Sequence, residues 1–314
     1  MDNKKIVLFA LGFFIVVSFG YLIGIAFFKN KNNQNQGDNS SKIQVSASFY
    51  PLYFFSQQIG QDKVNVFNIT PAGAEPHEHE PTSQDISKIE DSRLLVINGG
   101  GLEAWSENIK QNLVSKNTVV IMAGEGLTSR EVFEDGKNMI DPHIWLSPPI
   151  AKEIVDKIAD GFIQIDEANK DFYLLNANVL KNKLDDLDRQ YRRGLANCQE
   201  KNIVTSHAAF GYLATAYGLN QVSITGLSPD AQPSPRQLAD IVKFTRANNV
   251  KYIFFESLVS PKLSKTIATE IGAQTMVLNP LEGLTDEEVS QGNNYFTEME
   301  NNLANLKTAL ECKE

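Results

Sequence analysis

The chain reads as an α/β protein of two lobes, each built on a mainly parallel sheet, joined by one long rigid helix. Three observations predict this. Short apolar runs alternate with helical stretches from residue 43 to about 123, and again from about 200 to the end. Between the two sets, residues 168–196 contain no proline and one glycine, Gly194. Three of the chain's four histidines close strand-like runs at nearly even intervals, and ligands in open α/β sheets gather at strand carboxyl ends. The expected site therefore lies in the cleft between the lobes.

In the first set, IQVSASF, VNVFNIT, RLLVING and TVVIMA are predicted strands. YPLYFFSQQIG, SQDISKIED and GLEAWSENIKQNL between them are predicted helices, with turns marked by PAGAEP and NGGG. In the second set NIVTS, QVSIT, YIFFES and TMVLN alternate with helices drawn from AAFGYLATAYG, SPRQLADIVKFTRANN, PKLSKTIATEIG and NNYFTEMENNLANLKTAL. A helix over IAKEIVDKIADGFIQI leads into the linker, whose Leu175, Leu180, Leu184, Leu187 and Tyr191 form an apolar stripe on a charged helix. A helical connection is stiff, so local loop movement is expected rather than wide hinge closure. The expected divisions are a lobe over 43–165, a linker helix over 166–197 and a second lobe over 198–314.

Ahead of the first lobe, Lys4 and Lys5 precede an uncharged apolar run from Ile6 to Phe28. As a helix that run spans about 34 Å, enough for a bilayer core and longer than the roughly 7–15 residues of a secretory h-region. No small-residue cleavage site follows, so residues 6–28 read as an uncleaved signal anchor, the alternative being a cleaved signal peptide. Residues 29–42, KNKNNQNQGDNSSK, hold almost nothing apolar and read as a flexible tether. The body is thus expected outside the cytoplasmic membrane, anchored by the N-terminal helix.

A formal net charge of −9 argues against nucleic acid, whose phosphates require a basic face. Cys198 and Cys312 are the two cysteines. In an oxidising compartment an even pair reads as a disulfide, with two separate buried thiols as the alternative. Neither lies near a histidine motif, which argues against sulfur as a metal ligand.

His77 stands in PAGAEPHEHEP, His143 in DPHIWLSP and His207 in IVTSHAAFGYLA, while Glu282 follows TMVL in NPLEGL. Each has a plain reading by itself: a solvated loop histidine, a ring packed on Trp145, an exposed residue at a helix start, a surface glutamate. Together, three imidazoles and a carboxylate contributed by both lobes make a tetrahedral zinc set. His79, two residues from His77, competes with it for the inward position, and Glu256 in FFES is a further carboxylate candidate. HEHE lacks the helical H-E-x-x-H spacing of metalloproteases.

PHEHEPTSQDI, DPHIWLSP, TSHAAFGYLATAYGL, GLSPDAQPSPRQLADI, IFFESLVSPK and LNPLEGLT together resemble the extracytoplasmic zinc-binding proteins of ABC importers, the ZnuA/AdcA-like cluster, over about residues 43–314. The resemblance implies two α/β lobes on a rigid helix, metal held by His77, His143, His207 and Glu282, and paired cysteines at the places of Cys198 and Cys312. It implies a monomeric carrier that delivers Zn²⁺ to an ABC permease and its ATPase. The chain departs from that pattern in four places. It has no lipobox cysteine, and the helix at 6–28 stands in for the lipid anchor. His79 occupies a position that is often aromatic, and Gln232 one that is often acidic. The segment EVFEDGKNMID before His143 has no histidine-rich loop.

Three imidazoles and one carboxylate favour Zn²⁺; a manganese site is richer in oxygen, and Glu256 is the residue that would make it so. A manganese-binding member of the same family is therefore the alternative. A zinc-dependent hydrolase is a third reading, in which Glu282 serves as general base and leaves a coordination position open. Adhesins of this fold form a further class, separated by context. No constellation for a substrate accompanies the histidines, and the chain is expected not to be an enzyme.

Overall fold

The first sheet is fully parallel because helices carry the chain back between its strands. In this computed structural model, which describes residues 42–113, 116–134 and 136–313, its strands are β1 (Ile43–Ala47), β2 (Val64–Asn68), β3 (Leu94–Ile97) and β4 (Val119–Met122). They lie in the order β2-β1-β3-β4. All four residues of β3 are buried, as expected of a central strand covered on both faces. The crossovers are α1 (Tyr50–Gly60), α2 (Ser83–Asp91) and α3 (Ser106–Leu113). A capping box between Thr82 and Asp85 starts α2. Helix α3 begins later than expected because Gly99, Gly100 and Gly101 all take left-handed φ values and turn the chain back first.

After β4 the chain forms an antiparallel hairpin, β5 (Glu131–Glu134) and β6 (Lys137–Ile140). This hairpin was not expected from sequence, although the Asp-Gly pair at 135–136 is a strong hairpin signal.

Helices α4 (Pro148–Ile165) and α5 (Lys170–Leu195) follow. A short 3₁₀ turn at Glu167–Asn169 separates them. They run antiparallel: Lys152 bonds Asp185 at 2.6 Å, Lys181 bonds Asp156 at 2.5 Å, and Phe162 stacks on Tyr173. Helix α5 spans about 39 Å at 1.5 Å per residue. Its buried face holds Tyr173, Ala177, Leu180, Leu184, Leu187 and Tyr191. Leu175, expected on that stripe, is exposed, because it lies two residues from Tyr173 and so on the opposite side of the helix.

The second sheet repeats the plan with β7 (Asn202–Thr205), β8 (Asn220–Ser223), β9 (Tyr252–Phe255) and β10 (Gln274–Val277), in the order β10-β9-β7-β8, again all parallel. Its helices are α6 (Gly211–Tyr217), α7 (Pro235–Ala247), α8 (Lys262–Ile271), α9 (Asp286–Ser290) and α10 (Tyr295–Ala309).

One apolar core runs through both halves. It takes Val45, Leu94 and Phe49 from the first, Ile203, Phe254 and Met299 from the second, and the buried face of α5 between them. Residues 43–314 form one compact unit. The expected anchor at 6–28 and the tether at 29–42, Lys42 apart, lie outside the described residues; among those described, no helix is long and apolar enough to cross a membrane.

Cys198 and Cys312 form a disulfide spanning 114 residues of sequence. On the chain-entropy relation a loop of that size is worth about 4–5 kcal/mol. Reduction of the metal-free protein is expected to lower its unfolding free energy by that amount, read from denaturant midpoints with and without reductant.

Candidate metal centre

His207 and Glu256 follow β7 and β9, the pair of strands at which the order of the second sheet reverses, where such sheets place their sites. Glu282 follows β10, and His77 lies in the loop after β2. His143 differs from expectation: it leaves the β5–β6 hairpin rather than a strand of the parallel sheet, and it caps the 3₁₀ turn Ile144–Leu146. Its ring packs on Trp145 with centroids 5.2 Å apart, while its Nε2 faces the cluster.

The four side chains converge. Glu282 Oε1 lies 3.3 Å from His77 Nε2, 3.1 Å from His143 Nε2 and 3.3 Å from His207 Nε2. His143 Nε2 is 3.2 Å from the Nε2 of both other histidines. These are five of the six edges of a tetrahedron, and edges of that length match ligand atoms about 2.0 Å from a shared centre, the length of Zn–N and Zn–O bonds in tetrahedral sites. His143, His207 and Glu282 are fully buried, and His77 is the member that reaches solvent. It borders a cavity of about 920 Å³ that Gly100, Ile140, Pro142 and Leu227 also line. His79 stays out of the cluster.

Carboxylates orient two of the rings from behind. His143 Nδ1–H donates to Asp141 Oδ1 at 2.8 Å, and His207 Nδ1–H to Glu256 Oε1 at 2.7 Å. Each bond leaves Nε2 as the atom turned to the centre. Glu256 thus stands behind His207 rather than beside Glu282. Arg130 pairs with the other oxygen of Asp141 at 3.2 Å, and Tyr212 on α6 donates to the Asp141 carbonyl at 3.1 Å.

Charges in the metal-free cluster follow from this packing. Burial pulls both His143 and His207 down. For His143 the hydrogen bonds with Asp141 and Glu282 outweigh it, and for His207 the charges of Glu256 and Glu282 do, so both sit above the usual imidazole value. Burial dominates at His77 and lowers it. Burial opposes the charge on Glu282, yet His207 and the other rings hold it well below the usual carboxylate range. Glu75 is the opposite case: burial first, then the Glu282 charge, push it up to about 9.

The Glu282 loop is strained and braced. Leu281 takes φ 57°, at a cost of about 1–2 kcal/mol for a residue other than glycine. Its N–H donates to Asn279 Oδ1 at 2.8 Å, and Asn302 clamps the Asn279 backbone at 2.8 and 2.7 Å. Trp145 Nε1–H donates to the Pro280 carbonyl at 2.7 Å, tying this loop to the one that carries His143. None of Asp141, Tyr212, Asn279 or Asn302 was expected from sequence. Asp141 had a signal, lying two residues before a histidine; Asn302, in the middle of α10, had none.

Sequence comparison places this architecture. The ZnuA family model, described as zinc-uptake complex component A, periplasmic, matches residues 45–309. The chain belongs to the ZnuA family. It is 38% identical over 314 residues to the high-affinity zinc uptake system protein ZnuA of Bacillus subtilis, covering 96% of this chain and 98% of that one. It is 39% identical over 287 residues to the zinc-binding lipoprotein AdcA of Streptococcus pneumoniae, covering 88% of this chain and 57% of AdcA. The chain therefore spans little more than half of that relative. The crystal structure of the Zn(II)-bound ZnuA-like domain of that AdcA superposes with a TM-score of 0.75 at 39% identity, over 86% of this chain and all of the domain. The two parallel sheets and the long helix are thus the ZnuA fold.

Proposed function

We propose that this protein captures one Zn²⁺ outside the cytoplasmic membrane and delivers it to an ABC importer, with His77, His143, His207 and Glu282 as the four ligands. The observation that carries the reading is the convergence of three Nε2 atoms and one Oε1, five of whose six mutual distances are 3.1–3.3 Å. Nitrogen-rich tetrahedral sets suit zinc, whereas manganese prefers more oxygen ligands. Glu256, the residue that would supply a second oxygen, is spent on His207 Nδ1. With Glu282 as the fourth ligand no position is left for a reactive water, so the site holds its ion as cargo and does no chemistry on it. Zinc-named relatives across most of the chain support the same cargo.

The burial gradient gives the ion its route. It enters from the cavity beside His77 and comes to rest among three fully buried side chains. The receiving partners are a permease and its ATPase, and residues 29–42, behind the anchor at 6–28, tether the carrier beside them, which raises its effective concentration there.

The test is metal content of residues 43–314 purified with zinc and manganese offered together, beside a Glu282→Ala variant. One zinc per chain is expected, with binding lost or greatly weakened in the variant. Manganese retained in preference to zinc would refute the cargo. Zinc held equally well without Glu282 would reopen the hydrolytic reading.

A further inference from the structure

Glu103 is a buried acid that contributes no atom to the metal cluster. It sits in the turn between β3 and α3, where Gly99, Gly100 and Gly101 have φ of 79°, 68° and 90°. That turn folds the carboxylate back beneath the carboxyl end of the first sheet. Its Oε1 accepts from Ser48 Oγ at 2.6 Å and from the Asn98 N–H at 2.7 Å, and its Oε2 accepts from the Gly99 N–H at 2.9 Å. Three donors compensate the burial of a carboxyl group that would otherwise be costly.

Those donors lie at the roots of two loops that matter. Ser48 follows β1 directly, and its carbonyl accepts from Thr70 N at 3.0 Å and Thr70 Oγ1 at 2.8 Å, where the chain leaves β2 for His77. Asn98 follows β3 directly, and its Nδ2 donates to the Pro142 carbonyl at 3.0 Å, one residue before His143. One buried carboxylate thus grips the central strands β1 and β3 at the point from which both first-half histidine loops are hung.

We propose that Glu103 is a positioning residue for metal capture, fixing the His77 and His143 loops relative to each other through Ser48 and Asn98. The proposal rests on the zinc-capture reading. A carboxamide at 103 keeps the size of the side chain, yet it turns an NH₂ toward an N–H or O–H that needs an acceptor, so one anchor is lost. The loops then hold His77 and His143 less firmly, and the cost falls on metal geometry more than on the fold.

The experiment compares the parent chain, Glu103→Gln and Asn98→Ala. Zinc affinity is measured by chelator competition, ligand geometry by the visible absorption of bound Co²⁺, and fold stability by melting the metal-free proteins. Glu103→Gln is expected to weaken zinc binding about 10–100-fold, the range for residues that orient metal ligands, and to alter the Co²⁺ spectrum. Asn98→Ala, which leaves the Glu103 carboxylate and its backbone donors in place, is expected to shift both in the same direction. Unchanged affinity and spectrum in Glu103→Gln would overturn the proposal, as would a lowered melting temperature with both metal readouts intact. If Glu103→Gln does not fold, Asn98→Ala decides by the same criteria. A parent chain that takes up no zinc would instead refute the function on which the proposal rests.

Discussion

Replacing His143 or His207 with alanine is expected to weaken zinc binding by about a hundred- to a thousandfold. Structural zinc sites bind with about 10–16 kcal/mol over four ligands, so one ligand is worth about 2.5–4 kcal/mol, and each 1.4 kcal/mol is a factor of ten. His207→Ala should stand at the upper end. It removes a ligand and also strips the Glu256 carboxylate, itself buried, of its imidazole partner. His79→Ala should leave affinity within about twofold, since that ring lies outside the tetrahedron. Competition against a chromogenic zinc chelator measures all three. Equal losses for His77→Ala and His79→Ala would show that the inward histidine has been misassigned.

That contrast between His77 and His79 marks how far the sequence could be read. The strands were legible because parallel strands covered on both faces are continuous apolar runs, and LLVI and YIFF need no tertiary information to be recognised. The candidate ligands His77, His207 and Glu282 were legible because each follows an apolar strand of the α/β layers, and His143 because of its motif DPHIWLSP. Which of two histidines spaced by one residue turns inward depends on loop conformation, for which HEHE carries no period. The hairpin at 131–140 escaped because its strands are four residues long and partly exposed, although Asp-Gly was there to be seen. Bracing residues were the least legible. Asn302 clamps a loop more than twenty residues away in sequence, and Tyr212 reaches Asp141 from the other half of the molecule. Such contacts are made by tertiary packing and leave no local pattern.

Zinc affinity is expected to fall steeply with pH, beginning above the ordinary imidazole value of about 6.5. Protons and zinc compete for the same Nε2 lone pairs, and only neutral imidazole ligates. In the metal-free protein the hydrogen bonds to Asp141 and Glu282 keep His143 protonated above that value, and the charges of Glu256 and Glu282 do so more strongly for His207. Below those raised values zinc must expel a proton from each ring, so affinity changes about a hundredfold per pH unit. His77, lowered by burial, adds nothing in that window. Stability moves oppositely in the two forms. The raised histidines stabilise the metal-free fold fully below about 6.5, and that contribution is lost as pH rises through their folded values. Glu282, held low, contributes above the usual carboxylate value and is lost only as pH falls through its own. Rising pH therefore weakens the metal-free cluster while strengthening the zinc-bound one. The gap in melting temperature between the two forms should widen from pH 6 to pH 8. Calorimetry in buffers of different ionisation enthalpy would count the protons released. A flat affinity between pH 7.5 and 5.5, with no proton release, would rule out imidazole as the ligand.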